Sequence, residues 1–195
     1  MDQKLAIIHT TPATIAPLKA LDSEILPQYE LVNFVDDSIL PQLARNGGNL
    51  GDVEERWIHY ARFAEQGGTQ AILSACSSVG DIVATAQHHV RIPIVRIDEA
   101  MAEEAVSRAE HIGVAATLPT TLGPTLNLLR RKAEALGKSV RLKPLLAEAA
   151  YRRLMDGDQA GHNSVLAAAL TDLAKNRRHR RSGAGINGTG RRHAV

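Results

Sequence analysis

The sequence has a single cysteine, Cys76, among its 195 residues. One thiol excludes an intramolecular disulfide, and a chain without disulfides fits the reducing conditions of the cytosol, so we expect a cytoplasmic protein. A lone cysteine is either a small buried hydrophobe or a reactive group. Its surroundings in the sequence therefore have to decide between these two interpretations.

Aromatic residues and long apolar runs are also scarce. Phe, Trp and Tyr make up 3% of the chain, so the core has to be built mainly from Ala, Val, Leu and Ile. No stretch has the roughly 20 apolar residues of a membrane-spanning helix, and the apolar run after the N-terminus is too short for a signal peptide. The total apolar content of 44% nevertheless suffices for one folded domain, or for two small lobes that share a core.

Motifs for cofactors and metals are missing as well. No glycine-rich phosphate-binding pattern follows a predicted strand, so nucleotide cofactors have no support. His88 and His89 are adjacent and point apart on a helix, and no partner with metal-ligand spacing accompanies them. Asp36 and Asp37 follow a predicted strand, where a turn role is the simpler interpretation. We expect neither a metal nor an organic cofactor.

Acidic residues are absent from the last twenty positions, 176–195, which hold six arginines. The rest of the chain has 17 basic and 21 acidic residues, so the formal net charge of +2 hides a mildly acidic body and a strongly basic tail. The tail has no apolar periodicity and is typical of a disordered segment. It can be a basic arm for nucleic acid or acidic partners, a solvated tail without a role, or an out-of-frame translation.

The third explanation can be examined with the genetic code. Codons allowed for residues 177–195 exist that read ADIVVLAQASMARVVAMP once a single base is removed. This alternative peptide has an apolar, strand-like run followed by a turn of small residues and the start of a helix. We hypothesise that residues 176–195 are a frameshift product, which the sequence of the gene would decide. A nucleic-acid partner is then not expected.

The first 110 residues alternate between strand-like and helix-like segments. Such alternation predicts parallel sheets with right-handed crossovers. In the longest helix Asp52 is a candidate cap and Gly67 the end, with an apolar face between them. The predicted strands are 5–8, 29–35, 71–75 and 93–97, and the predicted helices are 13–21, 52–66, 79–89 and 98–109.

The same pattern restarts near His111. Strands are predicted at 112–116 and 140–145, and helices up to 136, at 146–155 and at 162–175. The strands at 5–8 and 112–116 both run into a hydroxyl-rich turn with a proline, HTTP in one case and TLPTT in the other. The sequence therefore predicts two related α/β lobes, residues 1–110 and 111–175, followed by the tail 176–195. The second lobe is incomplete because it lacks a third strand, and the open edge left there can pair with a second copy.

Cys76 follows the short apolar strand 71–75 and precedes two serines and a predicted helix. Ligands in open parallel sheets bind at the carboxyl ends of strands. The positive end of a helix dipole at this place favours the thiolate, which is the reactive form of cysteine. The residues thus allow a reactive thiol or a buried core cysteine.

Four segments in this order resemble the aspartate/glutamate/hydantoin racemase superfamily, which also contains arylmalonate decarboxylase and maleate isomerase. They are IIHTTPATI, AILSACSSVGD, IPIVRIDEA and IGVAATLPTT, and the resemblance covers roughly residues 4–175. It implies two pseudo-symmetric flavodoxin-like lobes whose parallel sheets face a central cleft. It also implies proton transfer at the α-carbon of a small carboxylate, an amino acid or a diacid, without a cofactor.

The resemblance assigns the site residues. Members of this superfamily place a cysteine on each lobe, so that one thiolate removes the α-proton and the other thiol supplies one from the opposite face. Cys76 matches the cysteine of the first lobe, and hydroxyls at the turns hold the carboxylate and the developing charge. His9 lies beside the cleft as a further acid, base or substrate contact. The implied substrate-binding residues are His9, Thr10, Thr11, Ser77, Ser78, Thr117, Thr120 and Thr121.

The chain departs from this pattern because it has no second cysteine. Ser77 and Ser78 also stand where the superfamily usually has Asn-Thr. A one-cysteine relative would instead act as an isomerase, a lyase or a decarboxylase, and a chain with an aberrant tail would be inactive. The alternative from another class is a non-catalytic protein that binds acidic partners through its arginine-rich tail.

Overall fold

The computed structural model describes residues 3–178, and the side chains of residues 3–175. Its first half is built on four parallel strands in the order β2-β1-β3-β4. The strands are β1 (Gln3–His9), β2 (Tyr29–Val35), β3 (Ala71–Ser74) and β4 (Ile94–Arg96), and the helices are α1 (Ile15–Ile25), α2 (Ile39–Arg45), α3 (Gly51–Gln66), α4 (Ile82–Gln87) and α5 (Glu99–Arg108).

A second, separate sheet pairs two strands in parallel, β5 (His111–Ala116) and β6 (Arg141–Leu146). The helices that follow these strands are α6 (Pro119–Ala135), α7 (Glu148–Met155) and α8 (Gln159–Arg178). The predicted α/β class with parallel sheets in two lobes is confirmed. Within residues 3–178, β5 has a neighbour on one side only, whereas its counterpart β1 lies between β2 and β3.

Two apolar clusters hold the two sheets and their helices. The first packs α2, α3 and α4 on β1 and β3 around the fully buried Trp57. The second packs α5 and α6 on β5 through residues such as Val106, Val114 and Leu128. The apolar face predicted for the longest helix is formed in α3 by the buried residues Val53, Trp57, Ala61 and Ala64, with the partly buried Tyr60 packed against them.

The structure corrects two helix predictions and adds one helix. Asp52 does not cap α3, because Leu50 occupies the cap position and Asp52 accepts side-chain hydrogen bonds from Asn46 and Asn49 instead. The helix predicted at 79–89 is divided into a short 3-10 turn, Ser77–Val79, and α4. Helix α2 was not predicted; it buries one face through Ile39 and Leu43.

The remaining predictions of organisation are not tested by the described residues. The boundary near residue 110 stays a prediction, and α5, which precedes it, packs on the second apolar cluster. Helix α8 continues to Arg178, beyond the predicted helix end at 175. Positions 179–195 of the proposed tail, and with them the frameshift hypothesis, lie outside the described residues.

None of the helices within residues 3–178 is both long enough and apolar enough to cross a bilayer.

Candidate active site

The carboxyl ends of β1, β2, β3 and β4 meet at one edge of the first sheet, because all four strands run in parallel. Backbone hydrogen bonds continue the ladder there, from Asp36 N to His9 O at 3.0 Å and from Ala75 N to Ile8 O at 3.0 Å. Cys76 follows directly and is half-buried against the first apolar cluster. The predicted thiol therefore lies at the edge of the sheet where ligands bind in parallel α/β folds.

The turn after Cys76 contacts the second lobe through hydroxyl groups. Ser78 is buried, and its Oγ lies 2.9 Å from Thr121 Oγ1 and 3.2 Å from Thr120 Oγ1. Thr120 and Thr121 belong to the first turn of α6, just after β5. Three residues predicted from separate parts of the sequence are thus brought together between the lobes, while Thr117 lies half-buried in the same β5–α6 turn.

A cavity of about 290 Å³ opens beside these hydroxyls and has walls from both lobes. Its polar lining comes from Ser78, Asp81, Thr120 and Asn127, and glycines 47 and 48 also line it. Cys76 is not part of the lining found among the described residues, but it lies two positions before Ser78. A larger cavity of about 630 Å³ lies at the amino ends of β5 and β6, away from every predicted site residue.

Two buried hydroxyl groups lie at the carboxyl ends of neighbouring strands. Ser74 is the last residue of β3, and Thr10 directly follows β1. Within the described part of the chain, Thr10 Oγ1 and Ser74 Oγ are shielded from solvent and have no hydrogen-bond partner. Ile8 and Ser74 are the last partners of the β1–β3 ladder, and Thr10 and Cys76 each follow this pair by two residues along the chain. An unpaired buried hydroxyl costs roughly 1–3 kcal/mol, which a ligand oxygen would offset. Ser74 was not predicted as a site residue.

His9 and Thr11 contact their own lobe. His9 is fully buried, with Nδ1 2.7 Å from Thr14 Oγ1 and Nε2 2.8 Å from Asn33 Oδ1, so both ring nitrogens are engaged. Thr11 Oγ1 accepts a hydrogen bond from Ala13 N at the start of a 3-10 turn. Ser77 is half-buried, and its carbonyl accepts from Gly80 N. The roles of His9, Thr11 and Ser77 toward a substrate stay predictions.

Asp36 has the turn role that the sequence indicated. Its carboxylate accepts hydrogen bonds from Ser38 and from Tyr60 Oη at 2.9 Å, and Arg56 Nε lies 3.0 Å from Oδ2. Burial opposes ionisation, but the hydrogen bonds from Ser38 and Tyr60 and the charge of Arg56 outweigh it, so the pKa of Asp36 is lowered from 3.8. Burial and the neighbouring carboxylate raise the pKa of Tyr60.

This lowered pKa predicts that stability depends on pH through Asp36. A carboxyl that holds its proton less tightly when folded stabilises the protein above the unfolded pKa, and the contribution is lost as pH falls through the folded value. We expect Asp36→Asn to reduce the free energy of unfolding at pH 7 by about 1.5 kcal/mol. The deficit should shrink as pH falls below 3.8. Urea unfolding at pH 7 and pH 3 measures it.

The matched control for this prediction is Asp37→Asn, because Asp37 is the exposed neighbour on the same turn. This control should change the free energy of unfolding little and equally at both pH values. A deficit of Asp36→Asn that stays constant between pH 7 and pH 3 would contradict the prediction.

Among the described residues, no group of three or more His, Cys, Asp and Glu side chains is arranged to hold a metal ion. The polar groups of the site are instead hydroxyls, amides and one ion-paired carboxylate, Asp81. Hydroxyl and amide groups can hold a carboxylate through hydrogen bonds, and the thiol of Cys76 can exchange a proton with a carbon acid.

The sequence matches the family described as Asp/Glu/Hydantoin racemase over residues 9–179. Comparison with curated proteins finds no similar sequence. Among solved structures, the fold is similar to the glutamate racemase of Aquifex pyrophilus, with a TM-score of 0.58 and 21% identity over 73% of this chain and 55% of that one. It is also similar to the glutamate racemase of Francisella tularensis in complex with D-glutamate, with a TM-score of 0.64 and 18% identity over 80% and 57%.

The glutamate racemase isoform RacE1 of Bacillus anthracis gives a TM-score of 0.67 and 18% identity over 89% of this chain and 64% of that one. At these identities the three structures show a common fold. The chain spans between 55% and 64% of the length of the three enzymes.

Proposed function

Because the chain belongs to the Asp/Glu/hydantoin racemase family, we propose that it transfers a proton at the α-carbon of a small carboxylate, without a cofactor, through Cys76. The observation that carries this proposal is the meeting of Ser78 with Thr120 and Thr121 between the lobes, two residues after the only thiol. The fold supports the location, and the residue types support the chemistry.

In the proposed reaction the Cys76 thiolate takes the α-proton and becomes a thiol. The electron pair of the broken C–H bond is delocalised into the substrate carboxylate as an enediolate. Hydrogen bonds stabilise this added charge, and they are worth more in a site from which water is excluded. The donors we propose are Thr10, Thr117 and Thr120, with Ser77 and Ser78 assisting.

Return of the proton decides which reaction follows. Inversion needs a donor on the face of the α-carbon opposite Cys76, and the chain has no second cysteine to supply it. His9 is not free for this step, because both of its ring nitrogens are engaged with Thr14 and Asn33. With one thiol the proton returns mainly to the face it left. We therefore propose one-sided chemistry, in which exchange with solvent exceeds inversion; a lyase or decarboxylase step of the same superfamily is the alternative.

Deuterium exchange tests this proposal directly. The protein is incubated in D₂O with L- or D-aspartate, L- or D-glutamate, and malonate- or maleate-like diacids, and the α-proton signal is followed by NMR. We expect at least one of these carboxylates to lose its α-proton signal, or its carboxyl group, faster than with protein alkylated at Cys76. Chiral analysis of the same samples should show exchange at least about tenfold faster than inversion.

Equal rates of exchange and inversion would show that a group other than cysteine acts on the second face, and would overturn the one-sided mechanism. No difference between native and alkylated protein with any of these carboxylates would overturn the proposed function itself.

A further inference from the structure

The segment of residues 76–81, here called the Cys76 segment, contacts a buried arginine of its own lobe. Arg96, the last residue of β4, is 5% exposed. Its Nε and Nη2 donate to the two carboxylate oxygens of Asp98 at 2.9 Å each, and its Nη1 donates to Asp81 Oδ1 at 3.3 Å. The guanidinium packs against Gly80, where an added Cβ would lie 2.3 Å from Arg96 Cζ.

The same segment also contacts helix α6 of the second lobe. Arg131 Nη2 on α6 donates to Asp81 Oδ1 at 2.8 Å, and Asn127 Nδ2, one turn earlier, lies 3.4 Å from Asp81 Oδ2. Asp81 therefore receives cations from both lobes at once, Arg96 from the first and Arg131 from the second. The hydroxyl contacts of Ser78 are also with α6, through Thr120 and Thr121.

The two arginines differ in how much they depend on Asp81 as a partner. Arg96 is already neutralised by the bidentate pair with buried Asp98, so that pair persists when Asp81 is changed. The side chain of Arg131 is 52% exposed, so water solvates it readily when it loses its partner. An ion pair with such an exposed partner contributes little to global stability. The contact of Asp81 with Arg131 is therefore suited to set a position rather than to hold the fold together.

We propose that Asp81 is a positioning residue, which through Arg131 fixes the Cys76 segment against helix α6 and so holds the thiol in place beside the cleft. Cys76 is five residues before Asp81, and Thr120 and Thr121 lie about three turns before Arg131 on α6. The ion pair is thus at the far end of the two elements whose near ends carry the site. Without the Arg131 side chain, the hydrogen bonds of Ser78 and the 3.4 Å contact of Asn127 with Asp81 still connect the Cys76 segment to the second lobe. The effect on catalysis rests on the proposed function, but the effect on the segment does not.

The only thiol of the chain supplies a probe that needs no substrate. We expect Asp81→Asn and Arg131→Met each to raise the rate of iodoacetamide alkylation of Cys76 by about threefold to tenfold, because the segment opens locally more often. The double variant should exceed the single variants little, since both remove one interaction. Arg131→Lys should retain most of the protection. Thermal unfolding should change by only a few degrees.

The matched control is Arg152→Met, because Arg152 is an exposed arginine paired with Glu148 on the distant helix α7. Alkylation in this control should equal that of the wild type. No increase in Arg131→Met, or an equal increase in Arg152→Met, overturns the positioning role. If Asp81→Asn does not fold, Arg131→Met decides alone, because its side chain is exposed.

Activity measurements give a second readout. Where the wild-type protein turns over a carboxylate, Asp81→Asn and Arg131→Met should each lower kcat several-fold more than they change KM. The reason is that these variants displace the thiol but leave the groups that bind the substrate carboxylate in place. Faster alkylation in a protein without activity would leave the positioning role standing and refute the proposed function. Unchanged alkylation with wild-type activity would refute the positioning role alone.

Discussion

Cys76→Ser is expected to lower the proton-transfer activity at least about a thousandfold, within the range that general acid–base groups contribute. A serine hydroxyl does not ionise near neutral pH, whereas a thiol does, so the variant cannot form the base that removes the α-proton. Serine is similar in size to cysteine, and the Cys76 side chain is only half-buried, so the fold should tolerate the change. Deuterium exchange of the substrate found for the wild type measures the loss.

The control for this variant is Thr85→Ala, an exposed position on α4 that makes no contact with the site. It should keep the activity and the thermal unfolding of the wild type. Thermal unfolding of Cys76→Ser should remain within a few degrees of the wild type. A Cys76→Ser protein that exchanges the α-proton at the wild-type rate would contradict the assignment of the thiol as the acid/base group.

Gly80→Ala is expected to reduce the free energy of unfolding by about 3 kcal/mol, the lower end of the cost of breaking a buried ion pair. The new Cβ would lie 2.3 Å from both Cζ and Nη2 of Arg96, so the guanidinium has to move. Arg96 is buried and fixed by both oxygens of Asp98, and a displaced guanidinium leaves that buried carboxylate without its partner. Urea unfolding measures the difference.

Gly123→Ala provides the matched glycine, because it lies in helix α6 with nothing within 4 Å of the added Cβ. Because Pro124 follows directly and disfavours the helical conformation of a preceding residue that carries a Cβ, alanine there should change the free energy of unfolding by less than about 1 kcal/mol. Combining Gly80→Ala with Arg96→Met should cost less than the sum of the single variants, since both disturb one pair. A Gly80→Ala protein as stable as Gly123→Ala would contradict the close packing of Arg96.

Most strands were predictable because they are short apolar runs bounded by turn residues, and residues 29–35 because apolar and polar side chains alternate there. Residues 29–35 were predicted with both ends correct, and the other five strands were found within about two residues of their ends. Helix α2 was missed although its sequence carries a signal, with Ile39 and Leu43 spaced four apart and Pro41 in the first turn, where proline is tolerated. No element had been predicted between the strand 29–35 and the helix 52–66.

The helix after Cys76 was wrong for a different reason. Local sequence favoured one helix from 79 to 89, but Gly80 and Asp81 form a turn between the 3-10 turn and α4, and the Arg96 guanidinium packs on Gly80. That contact joins residues about 15 apart through the sheet, and no local pattern predicts it. The segment that carries the thiol is therefore in contact with charged groups that are distant in the sequence.

The candidate site was predictable only in part. Ser78, Thr120 and Thr121 were each named as site residues because of the resemblance to the racemase superfamily, but their direct contact was not predicted. The ion pair of Asp81 with Arg131 was not predicted. The sequence of the second lobe shows Arg130 and Arg131 only as part of a polar helix face, without indicating a partner in the first lobe. Asp98 was interpreted as a helix start, and it does precede α5, but its carboxylate pairs with Arg96.

Inactivation by iodoacetamide in the presence and absence of substrate tests most directly whether the one sulfur of this chain works inside a carboxylate-binding cleft. The account predicts that the fraction of activity lost equals the fraction of Cys76 that carries a carboxamidomethyl group. It also predicts that a saturating carboxylate substrate, at constant ionic strength, slows both the alkylation and the loss of activity. Alkylation of Cys76 that leaves the activity intact would contradict the account. So would alkylation that sodium chloride slows to the same extent as the carboxylate substrate.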